Sequence, residues 1–476
     1  MVNFFSIEFG ILFLIFLAIY WRVERLWCKN LLIFGFNYLL IFGLGDIYVG
    51  VMLFLYSAFI YFASKLIWSL DSEDRERYIR IKRKRDVTLY AFICAILLAI
   101  LNLSFFKYSS SIFDFFTQIL RFVGLGMIDP DIVMPLGISF YTFASITYLR
   151  WVYENRLNPY FAPQKFGALC AYLSFFPTFV AGPIFRAKDF FAQYHRNKYW
   201  DRSKTDIIFV LLLFGIVKKV LIANYAGIYA AMILKDPDAY SASALLSGIY
   251  FYGIQIYADF SGYVNLVGAF GLLIGFNLPP NFNAPYMARN LRDFWHRWHI
   301  SLSNFIKDYV YIPLGGNRRG FVNTQIFIMI GFILSGIWHG NTSNFFIWGA
   351  IHGLGIVGLN ILKMLRISFA KIPLFSKLFT FHFVSFAWIF FHYETFGEAR
   401  SYLLALFSNH LGDLWILVYF LIAFVIYQFC ENLLVNCIRI FSKIPALLKS
   451  SVFAIVLFFT FEFMPEGIPN FIYANF

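Results

Sequence analysis

Apolar runs long enough to cross a bilayer recur along this chain, divided by short polar segments. The first, Phe4 to Tyr20, is followed by Arg22 and Arg25. Two more fill residues 30–67 and break at Gly43-Leu44-Gly45-Asp46, a tight turn. Further runs are expected at 87–105, 132–152, 206–224, 242–275, 322–337, 344–362, 376–393, 413–430 and 449–463, with a shorter amphipathic piece at 110–128. The segment 166–184 holds Pro177 and Pro183 inside apolar sequence, which predicts a re-entrant or kinked element. The sum is an all-α polytopic membrane protein of roughly eleven crossings.

One stretch departs from the pattern. From Pro285 to Pro313 the periodicity predicts a single long helix with three faces. Leu291, Trp295, Trp298, Leu302, Phe305, Ile306 and Tyr309 form an aromatic-apolar face. Arg289, Arg292, His296, His299, Ser303 and Lys307 form one polar stripe, and Asn290, Asp293, Arg297, Ser301, Asn304 and Asp308 another. Two polar stripes make a poor lipid-facing crossing. The helix either lies at the cytoplasmic interface or descends into a polar cavity.

Composition sharpens this picture. Of 476 residues 60% are hydrophobic and 14% charged, far from a soluble domain. The net charge of +13 therefore belongs to cytoplasmic loops and gives no reason to invoke nucleic acid. Its densest cluster is Arg80, Lys82, Arg83, Lys84 and Arg85, expected to meet anionic lipid on the cytoplasmic side. Met1-Val2-Asn3 carries no positive charge, so the first run reads as an uncleaved crossing with its N-terminus outside. The five cysteines show no CxxC pair and no zinc-like spacing.

Candidate chemistry centres on histidine. His296 and His299 stand three apart on one stripe, and lipid anchoring needs lysine or arginine rather than imidazole. His339 closes an apolar run, with Gly336 and Gly340 beside it and Trp338 expected to pack as a cavity wall. An ionisable residue there faces an interior cavity, as a structural histidine partnered by His352 or as a working one. Asp259, inside the 242–275 run, needs a histidine, arginine or tyrosine partner, for structure or for tuning. No HExxH, GxSxG or Walker motif is present, and no metal is expected.

The sequence RDFWHRWHISLSNFIKDYVYIPLGGNRRG followed by GIWHG, with MPLGISFYTF, PTFVAGPI and YADFSGY upstream, resembles the membrane-bound O-acyltransferase family. It is most similar to the bacterial branch of alginate and peptidoglycan O-acetyltransferase membrane subunits; the D-alanyl transfer proteins of teichoic acid synthesis are more distant. The resemblance implies a ring of helices with re-entrant and interfacial segments around a central funnel. The core would span 131–360, between N-terminal helices over 1–130 and C-terminal helices over 361–476, in one membrane domain. It implies His339 as general base and His299 as the second catalytic position, with Trp295, Trp298, Asp259, Tyr263, Trp338 and His296 lining or supporting the tunnel. The position of His296 varies in the family, so no catalytic role passes to it. Arg289, Arg292, Arg297, Arg318 and Arg319 would attract the phosphates of an acetyl-CoA-like thioester. No bound cofactor is implied. The expected partners are the bilayer of the bacterial inner membrane, a periplasmic acetyltransferase and a glycan acceptor, peptidoglycan before alginate. D-alanyl transfer, or a proton-coupled transporter using Asp259, His299 and His339, are the competing readings.

Overall fold

The computed structural model describes residues 6–44, 47–71, 82–122, 134–367 and 372–465. Among these, regular structure is helical, apart from one isolated antiparallel bridge between Phe282 and Trp298. Seven helices are long and apolar enough to cross a membrane: 26–43, 47–69, 87–107, 242–273, 320–339, 343–364 and 373–392. Others of the expected crossings are shorter, since a helix rises only about 1.5 Å per residue and the hydrocarbon core is about 30 Å thick. The chain packs as two units, residues 1–201 with 270–278, and residues 202–269 with 279–476.

The first unit contains α1 (Ile7–Arg22), α2 (Leu26–Leu44), α3 (Ile47–Ser69), α4 (Lys82–Lys107), α5 (Ser109–Phe122), α6 (Ile138–Asn155), α7 (Phe166–Leu173) and α8 (Ala187–Tyr194). Arg80 lies outside the described residues, while Lys82 to Arg85 open α4 rather than sitting in a loop. The broken element expected at 166–184 is present: α7 stops at Ser174 and a short turn covers Phe176–Phe179. Asn37 of α2, fully buried, holds the break. Its amide donates to the Ala171 carbonyl at 3.1 Å and to Ser174 Oγ at 3.2 Å, and its oxygen accepts from the Phe176 amide at 3.2 Å. Backbone groups freed by the break are thereby satisfied without water. Phe176 of the break joins Phe9, Phe13, Phe16, Phe36 and Phe270 in one aromatic cluster. Leu97, Leu98 and Leu101 of α4 remain exposed at 51%, 53% and 61%, as a lipid-facing surface requires.

The second unit begins with α9 (Thr205–Ile216), a π-helical turn at Val217–Ala223, α10 (Asn224–Leu234) and α11 (Ala242–Leu273). A Cβ at Gly262 would lie 3.0 Å from the Gly215 carbonyl, so these glycines let α9 and α11 cross closely. Next come α12 (Leu291–Arg297), α13 (Ile300–Ile306), a π turn at Lys307–Tyr311, α14 (Gly320–His339) and α15 (Ser343–Met364). The chain continues through α16 (Pro373–His392), α17 (Phe396–Ser408), α18 (Trp415–Tyr427), α19 (Leu433–Ser442) and α20 (Ala446–Glu462). The helices α14 and α15 form a tight antiparallel pair, in which a Cβ at Gly349 would lie 2.5 Å from the Phe332 carbonyl.

The single helix expected over 285–313 is instead broken at Trp298-His299. Trp298 is extended and His299 is left-handed, with φ of 42° and ψ of 54°. The cause is Asn281. Its carbonyl accepts the Ile300 amide at 3.0 Å, and its side-chain oxygen accepts the Ser301 amide at 3.1 Å. The Asn283 amide donates to the Arg297 carbonyl at 3.0 Å. A short extended segment thus claims amides that a continuous helix needs. Both halves keep their aromatic face buried, so the period runs on across the break.

Candidate active site

Asn290 starts α12, its side chain accepting the Asp293 amide at 3.0 Å, a cap that fixes where Trp295 and Trp298 project. His299 is 1% exposed, with the Phe260 ring 4.8 Å away edge-on and the Trp338 ring at 6.3 Å. Burial pushes the His299 imidazole down to about 3, so it is neutral at physiological pH. His339 ends α14 at 3% exposure. Its ring lies 4.7 Å from Trp338, 5.3 Å from Trp348 and 5.0 Å from Phe391. Trp338 therefore touches both histidines.

A second layer adjoins the first. Trp295 Nε1 donates to His352 Nδ1 at 3.3 Å, and the His352 ring packs 5.0 Å from Trp348. His352 does not reach His339 as a direct partner in these contacts; Trp348 stands against both. Trp298 is core, set between Phe282, Phe294 and Trp388.

Beside this cluster lies a cavity of about 1100 Å³. Arg292, His296, Lys307 and Lys363 supply its polar edge, while Trp295, Phe332 and Ser335 form part of its wall. Ser335 sits one turn before His339 on α14, so the cavity comes within a helical turn of that imidazole. No carboxylate is among its lining residues as described, which favours an anionic or neutral occupant.

The other expected residues are placed as follows. Arg292 is held by Asn360 Oδ1 at 2.5 Å, on the cavity. Arg297 is ion-paired with Asp293 at 2.8 Å and with Glu431 at 3.1 Å. Arg289, Arg318 and Arg319 are exposed and do not line the cavity. Tyr263 is buried on α11. Asp259 pairs with Lys219 of the π turn, a lysine rather than a histidine, arginine or tyrosine. Among the described residues no group of three or more His, Cys, Asp or Glu is placed to hold a metal.

Three residues carry structural weight that sequence reasoning missed. Asn281 and Trp348 show no local signal, and Lys219 lies in a run read as plainly apolar. His296 was singled out and lines the cavity, exposed, away from the buried cluster.

A family model described as the membrane-bound O-acyltransferase family matches residues 165–401. A probable alginate O-acetylase of Azotobacter vinelandii is 36% identical over 310 residues, 64% of this chain and 60% of that protein. A peptidoglycan O-acetyltransferase of Helicobacter pylori is 32% identical over 327 residues, 63% of this chain and 61% of that protein. A teichoic acid D-alanyltransferase of Bacillus subtilis is 27% identical over 285 residues, 56% of this chain and 70% of that protein. The match to the first two covers about three fifths of their own length.

Proposed function

The chain belongs to the membrane-bound O-acyltransferase family, and from that basis we propose that it is an O-acyltransferase. In this reading it takes an acetyl group from a cytoplasmic thioester, acetyl-CoA or a related donor. It delivers that group through the inner membrane, by way of a periplasmic acetyltransferase, to a glycan hydroxyl. Peptidoglycan is the favoured acceptor, and an exopolysaccharide such as alginate the next.

The observation that carries the reading is the pairing of two buried imidazoles across Trp338 beside a cation-edged cavity. His339 is the general base: it takes the proton of the acceptor hydroxyl while that oxygen attacks the thioester carbonyl. The C–S bond then breaks, and the thiolate leaves with the proton the imidazole returns. His299, neutral and left-handed, orients the reacting group. Arg292, Lys307 and Lys363 attract the donor's phosphates, and Trp295 and Ser335 mark where the cavity approaches His339.

The test is the ester content of cells carrying His339→Ala. With the variant inserted at normal level, peptidoglycan acetate esters should fall to the level of a deletion strain. Loss confined to exopolysaccharide reassigns the acceptor, and loss of wall D-alanine esters reassigns the acyl group. Unchanged esters in all three, with a solute-uptake defect, would establish the transporter instead.

A further inference from the structure

His352 and Trp348 lie outside the histidine pair described above, and the family resemblance gave them no role. Trp295 donates its indole proton to His352 Nδ1 at 3.3 Å. An indole nitrogen only donates, so Nδ1 presents a lone pair and the proton of the neutral ring sits on Nε2. Trp295 thus fixes the tautomer. Among the described residues, neither His352 Nε2 nor Trp348 Nε1 has a hydrogen-bond partner. Their residues are 0% and 1% exposed, with ring centroids 5.0 Å apart. Native structures rarely leave a buried donor unpaired, and these two sit on neighbouring rings.

We infer that His352 Nε2 and Trp348 Nε1 are a donor pair for the carbonyl oxygen of the transferring acyl group. This rests on the acyltransferase reading and extends it. Trp348 stands 5.3 Å from His339, and His352 is bonded to Trp295 of the cavity wall, so the pair connects base and wall although neither ring is itself among the cavity's lining residues. The ring neighbours of His352 are aromatic, Phe294, Trp295, Phe332, Trp348 and Phe383. An apolar, aromatic enclosure suits an oxygen that becomes charged only during reaction. As the acceptor oxygen bonds the acyl carbon, the carbonyl π pair moves onto its oxygen, where the two N–H groups hold it. Collapse reforms the carbonyl and expels the thiolate, while His339 carries the hydroxyl proton to sulfur.

The experiment uses cell envelopes that contain the chain and retain the periplasmic acetyltransferase and the wall, supplied with radiolabelled acetyl-CoA on the cytoplasmic side. Trp348→Phe and His352→Phe should each lower kcat about a hundredfold, the cost of one such donor, with KM for acetyl-CoA within twofold. His352→Gln should recover most of the rate, because its amide both accepts from Trp295 and donates onward. Wild-type kcat in Trp348→Phe, or His352→Gln as slow as His352→Phe, overturns the inference. Solid-state NMR of 15N-histidine protein gives an independent reading: His352 should carry its proton on Nε2, and lose that preference in Trp295→Phe. The opposite tautomer overturns the donor pair while leaving the acyltransferase reading intact. Absence of acetyl transfer by the wild type itself would instead remove the reading on which the pair rests.

Discussion

Asn281 brackets the backbone just after His299, accepting the amides of Ile300 at 3.0 Å and Ser301 at 3.1 Å. The left-handed conformation of His299 is therefore imposed from a neighbouring segment, since non-glycine residues seldom adopt it unaided. Asn281→Leu removes the side-chain acceptor within a fully buried site. It should lower stability by about 1–3 kcal/mol. The acyl-transfer rate should fall with it, because His299 loses its fixed direction. Thermal unfolding in detergent measures the first effect and wall ester content the second. An unchanged melting temperature would show that the bridge does not hold the break.

His299→Asn separates backbone from chemistry. Asparagine tolerates the left-handed region and is uncharged, the two properties that burial and geometry give His299. It should retain at least ten times the activity of His299→Ala, an order-of-magnitude expectation from keeping a positioned polar group. The pH dependence follows the same logic. The folded pKa of about 3 lies below the ordinary histidine value of about 6.5, so the unfolded chain binds the proton first. Stability from this group is full above about 6.5 and is lost as pH falls toward 3. The asparagine variant should show a flatter loss of melting temperature between neutral and acid pH. Equal slopes for wild type and variant would refute the assignment.

Much of this architecture is legible in one dimension. Length and scarcity of charge locate the 242–275 and 344–362 runs to within a few residues of Ala242–Leu273 and Ser343–Met364. The prolines of 166–184 announce its break. The break at His299 is silent, because aromatic positions repeat with helical spacing on both sides and the competing acceptor, Asn281, lies far upstream. Partners are silent for the same reason. Trp295 and His352 are 57 residues apart, and Lys219 and Asp259 are 40 apart. Imidazoles near apolar runs mark a candidate site, but only the folded chain says which indole stands between them.

The Lys219–Asp259 pair is 3% and 2% exposed, in a π turn facing α11. Removing one partner breaks a buried ion pair, which costs about 3–5 kcal/mol. Lys219→Met and Asp259→Leu should each reduce the amount of folded protein recovered from membranes. The double variant should recover most of it, because a well-packed apolar pair replaces a buried ion pair at little cost. A double variant as unstable as the singles would mean that the charges hold more than each other. Phe260, next to Asp259, packs on His299, so activity should follow recovery of the helix position.

Gly349 decides how closely α15 approaches α14. A methyl there would stand 2.5 Å from the Phe332 carbonyl, a backbone atom that no rotamer change can move aside. Gly349→Ala should therefore push the two helices apart, costing about 1–3 kcal/mol from overpacking. The displacement acts on both sides of the site at once. His339 ends α14, while Trp348, directly beside Gly349, packs against it from α15. Acyl transfer should fall at least tenfold even in the protein that remains folded, since small misplacements are amplified in rate. Gly358→Ala is the control on the same helix, for a Cβ there meets nothing within 4 Å. If both variants behave like wild type, close packing of this hairpin does not set the position of His339.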